Sequence, residues 1–358
     1  MSDNKEISTL IQEAIGLLQQ LISIPSFSKE ENGTAGAIGR FLSDHDIDFH
    51  RKGNNIWAYN KHFDPAKPTI LLNSHHDTVK PNPGWTKDPF HPEIEGGMLY
   101  GLGSNDAGGC LVSLMAAFRY FYDKSNLPYN LAFAATAEEE NSGLNGIESI
   151  LEDLGPMDLV IVGEPTQMQM AIAEKGLMVL DCVAYGKTGH AAREEGENAI
   201  YKAVDDIEWF RNYKFEKVSP YVGPMKMTVT VIKAGEQHNV VPSECHFVVD
   251  VRMTDQYTHE EVLDIIRQHV QSEVKARSTR LKPSFIAPEH AIVQAGLALG
   301  LTTYGSPTTS DQAVIPYTSI KIGPGDSSRS HTADEFIYLK EIEDGVGIYV
   351  GILERMMV

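Results

Sequence analysis

Residues 69–77 read Thr69-Ile70-Leu71-Leu72-Asn73-Ser74-His75-His76-Asp77, a short apolar run that passes directly into two histidines and an aspartate. Three later runs repeat this pattern and are followed by Glu138-Glu139-Glu140, by Gly163-Glu164 and, further on, by His331. Each run has the length and composition of a buried strand. In open α/β sheets, ligands bind where the parallel strands end. We therefore expect a polar site at that edge of a sheet.

Helical stretches separate these strands. Apolar residues recur at helical spacing over residues 5–22, and the same pattern is found at about 34–44, 108–122, 289–300 and 340–356. Strands that alternate with helices predict an α/β domain with a largely parallel sheet.

The middle of the chain has a different pattern. Residues 176–186, 225–233 and 245–252 alternate between apolar and polar side chains, and helical stretches are predicted at about 197–212 and 258–275. Alternation of this kind is typical of antiparallel strands with one solvated face. We therefore expect an α+β insertion at 176–280 within an α/β domain formed by residues 1–175 and 281–358.

Composition excludes several classes of partner. The chain has 358 residues, 49 of them acidic and 30 basic, and its net charge of −19 disfavours nucleic acids and anionic membranes as partners. No apolar run approaches the ~20 residues that span a bilayer, and the N-terminal sequence lacks a secretory signal. Cys110, Cys182 and Cys245 are widely separated, which is typical of reduced thiols. We expect a cytoplasmic protein without nucleic-acid or membrane partners.

The acidic residues at the predicted strand ends require a counter-charge. A fifth position, Asp106, follows Gly101-Leu102-Gly103 at the start of a predicted helix. A single histidine or acidic run is most often structural, but gathering these carboxylates at one edge would cost several kcal/mol without a cation. Histidine and carboxylate ligands without thiolates suit Zn²⁺, with Co²⁺, Mn²⁺ or Fe²⁺ as substitutes. Three ionised carboxylates and two neutral imidazoles against two dications leave a net charge of +1, which a bridging hydroxide would bring to zero. This balance favours two ions.

Other enzyme classes lack their motifs. The sequence contains no GxxxxGK[ST], GxSxG or HExxH, and the Gly101-x-Gly103 pair continues to Asp106 where a dinucleotide fingerprint requires glycine. Water activated by the metal ions is therefore the predicted nucleophile.

Five segments, taken together in order, resemble a known family. They are Ser74–Val79 (SHHDTV), Gly101–Gly109 (GLGSNDAGG), Thr136–Glu140 (TAEEE), Val162–Thr166 (VGEPT) and Gly323–Gly325 (GPG) leading to His331. The chain resembles the co-catalytic zinc metallohydrolases that include acetylornithine deacetylase, succinyl-diaminopimelate desuccinylase, aminoacylase and bacterial glutamate carboxypeptidase. The resemblance covers nearly the whole chain. It implies a dinuclear zinc hydrolase domain with an inserted, ferredoxin-like lid and dimerisation domain, and hence a homodimer.

The resemblance also implies the metal ligands. His75 and Glu164 would hold one Zn²⁺, Glu140 and His331 would hold the other, and Asp106 would bridge them. The peptide bond after Asp106 is expected to be cis, as it often is in the family.

Two further roles follow from the resemblance. Asp77 would orient the His75 imidazole, while His76 would point away from the site. Glu139 would be the general base. Glu138–Glu139 is an alternative base–ligand pair; Glu139–Glu140 is preferred because small residues follow it, Ser142 and Gly143.

Positions in and near the insertion match substrate-contacting segments of the family. Within Gly186–Ala191, His190 would stabilise the oxyanion of the tetrahedral intermediate, from its own chain or from a partner subunit. Further candidates for substrate binding are Lys175, Asn239 and Arg252. Ser310 is another; it lies in Thr309–Asp311, which matches a catalytic-domain loop that commonly borders the pocket in the family. An ion pair with Asp250 is an equal alternative for Arg252.

Length and motif wording are closest to acetylornithine deacetylase within the family. This implies hydrolysis of the small molecule N²-acetyl-L-ornithine to acetate and L-ornithine, in arginine biosynthesis. N-acetylcitrulline, N-acetyl-lysine and the N-succinyl derivatives of ornithine, citrulline and diaminopimelate stay open as substrates, as does a dipeptidase or carboxypeptidase reaction. A catalytically silent binding protein is a different alternative. The intact Glu139 and metal-ligand positions argue against it.

Overall fold

The chain folds into two compact units. The computed structural model describes residues 2–357. The second unit consists of Ala173–Ser284 and Gly305–Thr309, and the first unit is the remainder of the described chain. The sequence placed an insertion at 176–280. The compact unit extends a few residues beyond that range at each end and includes a short segment from later in the chain.

Helices and strands have the following bounds. The helices are α1 Ser2–Ile22, α2 Asn32–Asp44, α3 Gly109–Tyr122, α4 Leu151–Leu154, α5 Ala199–Asn212, α6 His259–His269, α7 Ala291–Ala298 and α8 Leu339–Met356. The strands are β1 His50–Lys52, β2 Asn55–Tyr59, β3 Thr69–His75, β4 Glu93–Glu95, β5 Met98–Tyr100, β6 Asn130–Thr136, β7 Leu159–Val162, β8 Met170–Glu174, β9 Gly176–Tyr185, β10 Gly189–His190, β11 Lys226–Ala234, β12 Val240–Val241, β13 Glu244–Met253, β14 Glu273–Ala276, β15 Ser284–Phe285, β16 Thr303–Ser306, β17 Ser319–Lys321 and β18 Phe336–Tyr338.

A mostly parallel sheet forms the centre of the first unit. Its strand order is β1-β2-β6-β3-β7-β17-β8-β15, with β16 paired to β8. Strands β6, β3, β7 and β17 run parallel to one another, while β2 and β8 are antiparallel to their neighbours in this group. Every residue of β3, β6 and β7 is buried, as expected for strands covered on both faces. The predicted α/β class is confirmed.

Helix α3 lies against this sheet. It contacts β3 and β6 as well as α1 and α8, and nearly all of its residues are buried. A helix that is apolar on all sides requires cover on all sides. The sheet and the two flanking helices provide it.

The second unit contains an antiparallel sheet. Its order is β11-β13-β9-β14, and α5 packs on β9, β11 and β13. Side chains of β9 alternate between buried and half-buried, which is the period-two pattern seen in the sequence. The buried set includes Leu180, Cys182, Phe247 and Val249, together with Ile266 of α6. This is the expected α+β arrangement.

One predicted element of this unit is wrong in extent. The helix expected over 258–275 ends at His269, and Glu273–Ala276 forms β14 beside β9. The buried Asp206 carboxylate accepts the backbone N–H groups of Gln271 and Ser272, at 3.0 and 2.8 Å. These bonds hold the chain in a turn and direct it into the sheet.

A late segment completes the second unit. The backbone N–H of Lys175 donates to the carbonyl of Ser306 at 3.1 Å, and Thr309 Oγ1 donates to the carbonyl of Lys175, also at 3.1 Å. The start of the unit is therefore hydrogen-bonded to residues far along the chain.

Cys110, Cys182 and Cys245 are free and buried. Among residues 2–357, no helix combines the length and the apolar character that crossing a membrane requires.

Candidate metal centre

Neighbouring parallel strands bring the polar segments together. His75 is the last residue of β3, and it lies opposite Thr136, the last residue of β6. On its other side β3 pairs with β7, which ends at Val162. Residues just beyond these strand ends therefore converge, as the sequence predicted. The segment before Asp106 turns at Gly103, whose φ of 76° favours glycine.

The His75 ring is surrounded by carboxylates. Its Nε2 atom lies 3.4 Å from Asp106 Oδ1, 3.8 Å from Glu164 Oε1 and 3.9 Å from Glu139 Oε2. The side chain is 1% exposed, and Nε2 has no hydrogen-bond partner among the described residues. A buried ring nitrogen that faces three carboxylates fits a cation between them.

Asp106 connects this group to a second one. Its other oxygen, Oδ2, lies 3.6 Å from His331 Nε2, and the same nitrogen is 2.9 Å from Glu140 Oε2. One carboxylate therefore faces two imidazoles with different oxygens. The donor set contains only imidazole nitrogens and carboxylate oxygens, which suits two divalent ions such as Zn²⁺.

Electrostatics at the cluster reflect crowded negative charge. Burial raises the pKa of Glu164 to about 8 and that of Glu139 well above its usual range, and neighbouring carboxylates add to both shifts. The hydrogen bond with Glu140 raises the pKa of His331 to about 9. Burial disfavours the charged form of His75, but Asp106 and then Asp77 outweigh it and raise its pKa. A bound cation would relieve this repulsion.

Asp77 contacts both the His75 ring and the segment that carries Glu139 and Glu140. The Nδ1 atom of His75 is bonded to the backbone carbonyl of Asp77 at 3.0 Å, while the Asp77 carboxylate is 3.5 Å away. That carboxylate accepts the backbone N–H groups of Glu139 and Glu140, at 3.0 and 3.2 Å, and the Ser28 hydroxyl at 2.7 Å. The backbone carbonyl of Asp77 is the nearer partner of the imidazole, and the Asp77 carboxylate also holds the Glu139–Glu140 segment.

Two neighbouring residues turn away from the cluster. His76 is bonded to Thr34 Oγ1 and to the Asn54 carbonyl, both at 2.9 Å, and burial lowers its pKa to about 4. Glu138 accepts the side-chain N–H of Asn145 at 2.9 Å. Both placements agree with the sequence, and the second supports Glu139–Glu140 as the base–ligand pair. The Asp106–Ala107 peptide is cis, as expected.

Sequence reasoning missed three buried carboxylates near these loops. Asp311 accepts the Asn73 amide and the Thr136 hydroxyl, both at 2.9 Å, and so joins the ends of β3 and β6. Glu31 accepts the backbone N–H of Glu138 at 3.3 Å, and Glu335 binds the loop that carries Asp106. None of the three has a spacing that could have marked it: Glu31 and Glu335 each follow another acidic residue, Glu30 and Asp334, and Asp311 stands alone.

Ser310 has a local structural contact. Its hydroxyl accepts the backbone N–H of Gln312 at 3.3 Å, at the start of a short 3-10 helix over Asp311–Val314.

The remaining predicted residues belong to the second unit. His190 is exposed, and its Nδ1 accepts the backbone N–H of Ala192 at 3.1 Å. Asn239 is exposed too, and its carbonyl accepts the N–H of Ala191 at 3.0 Å. Lys175 donates to the Pro224 carbonyl at 2.8 Å.

Arg252 forms the ion pair that was one of its two alternatives. Its guanidinium binds both carboxylate oxygens of Asp250, at 2.9 and 3.1 Å, and a third nitrogen lies 3.4 Å from Thr309 Oγ1.

The chain matches a family model over most of its length. Residues 71–355 match the model described as Peptidase family M20/M25/M40. The chain belongs to this family. It is therefore an enzyme of a hydrolase family, and the suspected relationship is confirmed.

Family M20/M25/M40 relatives include enzymes with named substrates. A succinyl-diaminopimelate desuccinylase from Nitratiruptor is 27% identical over 354 residues, which cover 93% of this chain and 91% of the relative. A protein named LysW-lysine/LysW-ornithine hydrolase, from Sulfurisphaera tokodaii, is 28% identical over 306 residues, or 81% of this chain and 82% of the relative.

Solved structures of family members share the fold. The aminopeptidase PepT from Bacillus cereus has a TM-score of 0.79 at 18% identity, with 96% of this chain and 98% of that chain covered. A metallo-carboxypeptidase of family M20 from Sulfolobus solfataricus has a TM-score of 0.75 at 17% identity, with the same coverage.

Proposed function

We propose that the chain is a dinuclear zinc amidohydrolase that removes an N-acyl group from an amino acid. The observation that carries the proposal is the Asp106 carboxylate, whose two oxygens face His75 Nε2 at 3.4 Å and His331 Nε2 at 3.6 Å. A carboxylate between two imidazoles, with a further carboxylate beside each, is an arrangement suited to two adjacent metal ions.

The residues divide into two ligand sets. His75 and Glu164 would hold one Zn²⁺, Glu140 and His331 would hold the other, and Asp106 would be shared; Co²⁺ is a plausible substitute by ligand chemistry. When bound, such ions lower the pKa of water and polarise the amide carbonyl.

Glu139 is the proposed general base. Its carboxylate lies 3.9 Å from His75 Nε2, and its backbone N–H donates to the Asp77 carboxylate at 3.0 Å. From there it would take a proton from the attacking water and return it to the leaving amine. The nitrogen needs this proton because without it the leaving group would be an amide anion, whereas the protonated nitrogen leaves as a neutral amine.

His190 is the proposed oxyanion donor. Because its Nδ1 accepts the N–H of Ala192, the neutral ring carries its proton on Nε2. That N–H is free to donate to a developing oxyanion. Exchange of subunits between inactive variants distinguishes a donor in the same chain from one in a second subunit.

The preferred substrate is N²-acetyl-L-ornithine, in arginine biosynthesis. The names of the two relatives contain diaminopimelate, lysine and ornithine, which are amino acids with a second amino group. This supports an N-acyl diamino acid. The first of these names also contains a succinyl group, so N-succinyl-ornithine is the main alternative, followed by N-acetylcitrulline, N-succinyl-citrulline and N-succinyl-diaminopimelate. Lys175, Asn239, Arg252 and Ser310 are the proposed substrate-binding residues.

A homodimer through the second unit is also proposed, with this unit as a lid. Strand β11 is at the edge of its sheet, and Val231 and Ile232 on it are exposed. An exposed apolar edge is suited to pairing with a second copy. The net charge and the buried free cysteines support a cytoplasmic enzyme without nucleic-acid or membrane partners.

A hydrolysis panel tests the substrate. It crosses acetyl, succinyl and formyl groups with ornithine, citrulline, lysine and diaminopimelate, and includes dipeptides, with zinc- and cobalt-loaded protein. Glu139→Gln protein prepared in parallel controls for contaminating hydrolases. Acetylornithine should have the highest kcat/KM. A preference for a succinyl compound would show that the acyl group is succinyl and not acetyl. Cleavage of dipeptides alone would show that the reaction is peptide hydrolysis and not deacylation.

A further inference from the structure

Two consecutive backbone amides beside the cluster share one acceptor. The N–H groups of Asn105 and Asp106 both donate to Glu335 Oε1, at 2.8 and 3.0 Å. Glu335 is 2% exposed, and its own carbonyl accepts the N–H of Gly101 at 3.0 Å. The loop that carries Asp106 is therefore bound to Glu335 at two places.

The Asn105 side chain binds Asp326, at the start of the segment that ends at Glu335. Its Oδ1 accepts the N–H of Asp326 at 2.9 Å, and its Nδ2 donates to the Asp326 carbonyl at 3.1 Å. Residues 326–335, which include His331, are thus fixed to the Asn105–Asp106 pair at both ends. The positions of Asp106 and His331 are coupled through these bonds.

We propose that Glu335 is a positioning residue that sets the separation between Asp106 and His331 in the metal centre. A buried carboxylate next to another carboxylate is unfavourable unless hydrogen bonds compensate it. Glu335 receives such bonds from the backbone of the loop that carries Asp106, so its buried side chain and the position of that loop depend on each other. This inference rests on the proposed metal centre but not on the proposed substrate.

The consequence concerns metal affinity. Asp106 faces both ligand groups and His331 faces one, so a displaced loop would disturb the group with Glu140 and His331 most. Loss of an outer partner of a metal ligand typically weakens metal binding by about 10–100-fold.

The chain offers a matched control at Asp206. This carboxylate is also buried, at 5% exposed, and it also accepts two consecutive backbone N–H groups, those of Gln271 and Ser272. It belongs to the second unit and lies outside both ligand sets. Asp206→Ala thus removes an equivalent structural contact without touching the ligand-bearing loops.

The experiment compares Glu335→Ala, Glu335→Gln and Asp206→Ala in the full chain. Zn²⁺ and Co²⁺ affinities are measured by competition with a chromophoric chelator, the visible spectrum of the Co²⁺ protein is recorded, and folding is checked by circular dichroism. Glu335→Ala should bind the weaker ion about 10–100-fold less tightly. Glu335→Gln retains an acceptor oxygen and should lie between this variant and wild type. Asp206→Ala should keep wild-type affinity.

Several outcomes would overturn the inference. Wild-type affinity and Co²⁺ spectrum in folded Glu335→Ala would do so, as would an equal loss in Asp206→Ala. If Glu335→Ala fails to fold, the Glu335→Gln comparison decides in the same way. A wild-type chain that binds no pair of ions would instead overturn the metal centre itself, and with it the proposed function.

Discussion

The Asp77 carboxylate lies 3.0 Å from the backbone nitrogen of Glu139 and accepts its N–H. An acidic residue directly after β3 thus holds the proposed general base, which follows β6. Its second oxygen accepts the N–H of Glu140. The backbone positions of the proposed base Glu139 and of the adjacent metal ligand Glu140 therefore both depend on the Asp77 side chain.

Asp77→Asn should therefore reduce kcat. The amide replaces one acceptor oxygen with a donor, so one of the two N–H groups loses its partner. We expect kcat to fall by about 10–100-fold. Steady-state kinetics with metal analysis of the same sample measures the effect.

Asp158→Asn is the matched control for this variant. Asp158 accepts the N–H of Thr69 at 2.8 Å, at the opposite end of β3. It should change stability without changing kcat. Equal losses of kcat in the two variants would mean that Asp77 acts only through the stability of the strand.

Metal removal should abolish activity. The proposed ligands are imidazoles and carboxylates, so a strong chelator should remove the ions, and Zn²⁺ or Co²⁺ should restore turnover. Activity is measured before and after dialysis, with metal content determined on each sample. Full turnover in protein without detectable metal would contradict the mechanism.

Glu139→Gln and Glu140→Gln should have different effects. Glu139→Gln removes the base and retains the shape, so turnover should fall by about 10²–10⁴-fold while metal content persists. Glu140→Gln should weaken metal binding at the group with His331. Kinetics and metal titration of both variants separate the roles. Exchanged phenotypes would show that base and ligand have been assigned the wrong way round.

A subunit-exchange experiment tests whether His190 acts on a partner. Glu139→Ala and His190→Ala homodimers should each be nearly inactive. If His190 serves the other subunit, a heterodimer has one intact site and one site with both lesions. Random exchange makes about half of the dimers heterodimers, so roughly a quarter of wild-type activity should return. Proven exchange without recovered activity would mean that His190 acts within its own chain.

The three cysteines should be unreactive in the folded protein. Burial raises the pKa of the Cys182 thiol to about 12 and raises those of Cys110 and Cys245 as well. A raised thiol pKa keeps the thiolate fraction small at pH values below it. A chromogenic disulfide reagent at about pH 8 should label none of them until denaturant is added. Rapid labelling of native protein would contradict their burial.

Patterns in the sequence predict the sheet and its polar edge because each pattern extends over several consecutive residues. Buried parallel strands are continuous apolar runs, and His75, Glu139 and Glu164 follow them at short distances. Strands β4, β5 and β18 have only three residues each, which is too short for a recognisable pattern. The sequence of β14 continues the helical pattern before it, and so predicts the end of a helix where the structure has a strand.

Residues that bind the main chain could not be predicted in this way. Glu31 and Glu335 receive hydrogen bonds from loops whose paths depend on the completed fold. Asp311 likewise binds side chains of β3 and β6 that only the folded sheet brings together. From residue type alone, the Asp77 carboxylate is expected to pair with the His75 imidazole. Residue type does not reveal a backbone N–H that is nearer.

The hydrogen bond between Lys175 and Ser306 sets the order in which the second unit folds during its synthesis. When the ribosome has completed residue 284, the contiguous part of the second unit exists, but the carbonyl that accepts the Lys175 N–H does not. This bond can form only after residues 305–309 have been added, so this end of the nascent unit is completed after the rest of it. Translation that stalls between these points would leave the unit unfinished and accessible to chaperones and proteases.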